Sequence, residues 1–101
     1  MIFRRDRFGD LIRRQLDLFA EEEADLLQEA QVAESGYDGA PREDAEEAYG
    51  DLQLVVDAVA ESLADRRDAY SATLDDDASG TYEQAFDRAA RKRFGSLARG
   101  L

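Results

Sequence analysis

The chain contains no cysteine and no histidine. The first absence excludes a disulfide framework and any thiolate nucleophile; the second removes His-based triads, proton shuttles and the Glu-x-x-His pairs of di-iron carboxylate sites. Together they leave no ligand set for structural zinc or haem. Tryptophan is absent too, and a single proline, Pro41, interrupts the 101 residues. Unbroken apolar runs reach only three residues, as in Leu54 to Val56, whereas a helix needs roughly 20 to cross a bilayer. No membrane span is expected. The first turns of the chain already carry Asp6, Asp10 and Asp17 and no apolar stretch of signal-peptide length, so the reading is cytoplasmic. Catalytic chemistry is left to carboxylate, guanidinium and hydroxyl groups, and neither a catalytic set nor a cofactor is assigned.

What is present argues for a folded protein. Charged residues make up 37% and the formal charge is -11, yet 44% of the residues are hydrophobic and nine are Tyr or Phe, more apolar material than disordered chains carry. The length suits one helical domain, residues 1–101. A chain this short buries only roughly 60 to 65% of its unfolded surface, which makes a partner surface worth seeking.

Two clusters of turn formers punctuate the chain, Ser35-Gly36-Tyr37-Asp38-Gly39-Ala40-Pro41 and Asp75-Asp76-Asp77-Ala78-Ser79-Gly80-Thr81. They delimit three expected helices at about 4–34, 42–74 and 82–98. Pro41 suits the first turn of the second helix, and Thr81 with Gln84 has the form of a capping box for the third. Strands are improbable where Ala, Leu, Glu and Arg dominate.

Apolar spacing is the strongest signal. The first helix places Ile12, Leu16, Phe19, Leu26, Ala30 and Ala33 at alternating steps of four and three, with Glu23 out of pattern. The second does the same with Ala45, Tyr49, Leu52, Val56, Val59, Leu63 and Tyr70, with Arg66 out of pattern. Tyr82, Phe86, Ala89, Ala90, Phe94 and Leu97 share one face of the third. The fold class is therefore all-α: a long antiparallel helical hairpin plus a shorter third helix, a coiled-coil-like three-helix bundle.

Length then implies function. Two helices of about 30 residues extend roughly 45 Å, and a third of about 17 shields only roughly 25 Å of them. The unshielded end would carry Leu26, Leu27, Ala30, Ala45, Tyr49 and Leu52, and an apolar stripe in water predicts burial against a second copy in a two-fold homodimer, or against another protein. In such a hairpin Glu23 would face Leu52 and Arg66 would face Gly9, so each charge would be free to fix register with a partner.

Charge is unevenly laid out: residues 1–14 carry +3, residues 15–87 carry -19 and residues 88–101 carry +5. An antiparallel dimer would set basic end beside acidic half. Nucleic acid is not expected as a partner, because the overall charge repels phosphate and Arg91-Lys92-Arg93 complements a helix C-terminus. The start Met1-Ile2-Phe3-Arg4-Arg5 is brief for a membrane-surface helix.

Two acidic constellations stand out. Asp75, Asp77, Ser79, Gly80 and Glu83 fall where an EF-hand loop places ligands and its glycine, but position twelve is Phe86 in place of a chelating Glu. No metal site is assigned on these weak candidates. Glu43-x-x-Glu46 followed by Asp65-x-x-Asp68, with Glu22-x-x-Asp25 upstream, resembles the carboxylate pairs of all-α nucleotide pyrophosphohydrolases of the MazG type. That resemblance implies Mg²⁺ held against a triphosphate; the second motif opens with Asp where the family has Glu. The leading expectation is a non-enzymatic helical interaction or adaptor module acting as a homodimer, with the Mg²⁺-dependent phosphohydrolase as the alternative.

Overall fold

The computed structural model describes residues 7–101, and these are all-helical, with no strand among them. Four α-helices, α1 (Gly9–Glu22), α2 (Ala24–Asp38), α3 (Ala45–Ser71) and α4 (Asp76–Phe94), are supplemented by 3-10 turns at Arg42–Asp44 and Gly95–Ala98. The expected helix start at residue 4 and the basic segment 1–5 lie outside the described residues.

Four helices replace the expected three because the first long helix breaks at Glu23 (φ -109°, ψ 29°). Neither proline nor glycine marks the break. The local sequence is Glu21-Glu22-Glu23-Ala24-Asp25, in which Glu21 and Asp25 repel at i,i+4 and weaken a straight helix by a few tenths of a kcal/mol, roughly. Glu22 and Glu23 meanwhile find partners on α3: Arg66 lies 2.8 Å from Glu22, and Ser62 Oγ donates to Glu23 at 2.9 Å.

The turn between α2 and α3 falls later than its glycines suggest. Gly36 remains inside α2, and the chain reverses only through Gly39 to Asp44, where the Pro41 carbonyl accepts the Asp44 N–H at 2.9 Å. Register shifts accordingly. Tyr37 meets Tyr49 with ring centroids 5.5 Å apart, and Glu23 stands opposite Ser62 where Leu52 was expected.

The third expected helix begins one and a half turns early. Asp75 accepts the Ala78 N–H at 2.8 Å, and Asp76 and Asp77 sit in the positive first turn. The Thr81–Gln84 capping box is therefore not formed: Thr81 lies inside α4 and its hydroxyl donates to the Asp77 carbonyl at 3.2 Å. The helix also stops at Phe94, short of 98, because Gly95 adopts φ 58°, a conformation that glycine enters without the Cβ clash other residues meet.

Apolar faces converge as the spacing demands. Ile12, Leu16 and Phe19 of α1, Val56, Val59 and Leu63 of α3, and Tyr82, Phe86 and Ala90 of α4 are all buried. Edge-to-face contacts, Phe8 on Tyr82 and Phe19 on Phe94, each at 5.4 Å, show that α1 and α4 run in the same direction. Beyond Gly95 the chain folds back: Leu97 and Ala98 are buried, and Gly100 approaches so closely that an added Cβ would stand 3.1 Å from that of Ala60. The radius of gyration is 15.9 Å, against about 13 Å for a compact chain of this length. The α2–α3 end extends past α4, which has 19 residues against 27 in α3, and the terminal segment follows it to Glu34, which accepts a hydrogen bond from Ser96.

Candidate interaction surface

On that projecting end an open groove of about 680 Å³ runs between α2 and α3. Its walls are Leu26, Val32 and Leu54, and its floor is lined by Ala33, Ala48 and Ala58. Val32 is 62% exposed and Leu54 73%. Positions 26, 29, 33, 36 on α2 and 48, 51, 55, 58 on α3 recur at three- and four-residue steps, so the groove lies between two helical ridges and follows the helix axes. Among the described residues Glu29 and Asp51 are the only charged ones lining it.

The stripe expected from the spacing is placed differently. Ala30 and Leu52 are buried, sealed in the seam between α2 and α3. Leu26, Leu27 and Ala45 are half-buried, and Tyr49 is 49% exposed beside Tyr37. Only Leu26 of the six lines the groove. The folded-back terminus brings Gly100 over the side of α3 that carries Val56, Asp57 and Ala60; Leu54 lies two residues from Val56, about 200° around the helix. Val32 and Leu54 escaped the heptad reading because each stands one or two positions off the seam; the run Leu54-Val55-Val56, apolar on all sides, was the available signal.

Glu23 and Arg66, expected to stand far apart, meet within one chain at 3.8 Å. The register shift brings them together. The Arg66 guanidinium also lies 5.3 Å above the Phe19 ring, so it plugs the junction where α1 bends away from α2. The pair fixes the internal register of the chain.

A second, smaller cleft of about 420 Å³ opens between α1 and α4. Gly9, Ile12, Leu16 and Ala89 form its floor, and Arg13, Lys92 and Arg93 its rim. Arg13 pairs with Asp10 and Arg93 with Asp17, while Lys92 has no ion-pair partner among the described residues.

The remaining polar groups serve the core. Tyr82 donates to Gln15 at 2.7 Å, and burial pushes its phenol up to about 12. Arg67 bridges Asp68 at 2.8 Å and Asp87 at 2.9 Å, which holds it charged well above its ordinary range.

Neither acidic constellation assembles. The segment expected as a calcium loop is helical from Asp76, so Asp75, Asp77, Ser79 and Glu83 are spread along a helix; Asp75 is engaged as its cap and Glu83 accepts from Ser71. Glu46 and Asp65 stand on one helix, about 28 Å apart along its axis, with Glu43 in the preceding 3-10 turn and Asp68 already paired to Arg67. Among the described residues no group of three or more acidic side chains is arranged to hold a metal ion, and no helix is long and apolar enough to cross a membrane. Compared with known protein families, curated proteins and solved structures, the chain matches none.

Proposed function

We propose that this chain is a non-enzymatic helical protein-interaction module that acts as a homodimer through its projecting α2–α3 end. The observation that carries the reading is the groove itself, with Val32 at 62% and Leu54 at 73% exposure on its two walls. Single exposed apolar residues are ordinary on a soluble surface, but paired ones bordering a largely apolar trough mark a place where another helix lies. Small residues at Ala33, Gly36, Ala48 and Ala58 let a backbone approach closely, and a third ridge inserted there covers Val32 and Leu54.

The phosphohydrolase alternative has no comparable observation behind it, since its carboxylate pairs do not face one another.

Light scattering on the eluting protein tests the proposal. At micromolar concentration the mass should be close to twice 11.3 kDa, and replacing Val32 and Leu54 together by serine should return it to a single chain with the helical circular dichroism unchanged. Wild-type protein that stays monomeric into the millimolar range would refute self-association.

A further inference from the structure

Resting on that dimer reading, we propose that the α2–α3 face of each copy seats on the basic α1–α4 cleft of the other, Leu54 entering the cleft with Asp51 against Lys92, the contact being made twice about a two-fold axis.

Sign decides the arrangement. Among the described residues the groove carries Glu29 and Asp51 and no cation, and neither acid has an ion-pair partner. Two such faces packed on each other would oppose four carboxylates, at a cost of like-charge repulsion in a partly desolvated place. The α1–α4 cleft has the opposite character: among the described residues it has an apolar floor with three cations around it, two of them paired to Asp10 and Asp17 and Lys92 unpaired. Leu54 is the most exposed large apolar side chain among the described residues. Asp51 stands one turn before it and Asp57 one turn after, so it is an apolar knob between carboxylates, complementary to an apolar socket between cations.

The proposed contact is closed by symmetry. The knob lies on the projecting α2–α3 end and the socket at the α1–α4 end of an elongated molecule 55 Å long. In the proposed dimer two copies lie side by side and antiparallel and one two-fold operator relates the two contacts, which closes the assembly at a dimer and leaves no free knob to propagate a filament.

Charge reversal in mixtures tests this, because both Asp51 and Lys92 are exposed on helix surfaces where substitution leaves the fold alone. By sedimentation velocity in low salt, Asp51→Lys and Lys92→Glu should each self-associate about tenfold more weakly than wild type, or worse, since each places like charges at both contacts. An equimolar mixture of the two should recover wild-type affinity, because in the mixed dimer the two introduced charges, opposite in sign, meet at one contact and the native Asp51–Lys92 pair forms at the other. Leu54→Ser should weaken association with both charges intact. If wild type dimerises but the mixture associates no better than either variant alone, or if neither variant is weakened, this arrangement is overturned while the dimer stands; a monomeric wild type overturns both.

Discussion

Tyr82 shows how one polar atom is accommodated in the most enclosed part of the chain. Its ring is fully buried between Phe8, Tyr70 and Phe86, and its hydroxyl finds Gln15 on α1. Burial raises the phenol from 10.0 to about 12, so the folded chain keeps a proton that the unfolded chain has lost. The stability this confers is complete below pH 10 and is lost as pH rises through about 12. Thermal melts across that window should show the wild type losing stability more steeply than Tyr82→Phe. At neutral pH the same variant should be less stable by about 1 kcal/mol, the net contribution of the lost hydrogen bond; equal slopes in the alkaline range would remove the account. Most core residues were legible at this scale, because Ile12, Leu16, Phe19, Val56 and Leu63 obey a spacing that only burial rewards. Val32 and Leu54 were not, since an apolar residue off the seam has no periodic signature and its exposure depends on which faces the neighbouring helices cover.

At the scale of elements, the ends of helices went astray more than their existence. Glycines at 36 and 80 read as turn formers, yet both lie inside helices with open space around the missing Cβ, where each costs about 1 kcal/mol relative to alanine and nothing more. Packing of Ala78 and Tyr82 against the core offsets that cost for α4. The true start signal was Asp75 with its acidic followers, and Asp75→Ala should lower stability by about 1 kcal/mol in chemical denaturation, whereas Thr81→Ala, which loses only a bond back along the helix, should be close to neutral. Gly95 is the opposite case. Its φ of 58° with ψ -131° is strained for any side chain, so Gly95→Ala should destabilise by about 1 to 3 kcal/mol and expose the terminal segment first, as faster amide exchange at Leu97 and Ala98. An unaltered exchange rate there would show that the fold-back does not depend on this glycine.

For the molecule as a whole, charge works against compactness. Residues 21–61 bring together fourteen acids and Arg42 as their sole cation, and most of these acids are exposed on α2 and α3. Screening should relieve that repulsion: the melting temperature of dilute protein should rise from low salt to about 1 M sodium chloride, where the Debye length falls to about 3 Å. A fall would mean that pairs such as Arg66–Glu22 and Arg93–Asp17 outweigh the repulsion.

Periodicity and composition alone determined that the chain is helical, most of the residues that form its core and where its charges lie, because burial of apolar faces in water selects a 3.6-residue repeat irrespective of what those faces meet. Which faces meet was decided only in three dimensions. The break at Glu23 and the late reversal at Pro41 set the register that joins Glu23 to Arg66, seals Ala30 and Leu52, and leaves Val32 and Leu54 uncovered. Each of those outcomes depends on contacts between residues distant in the chain, and the energies that choose among registers are small differences that no local pattern records.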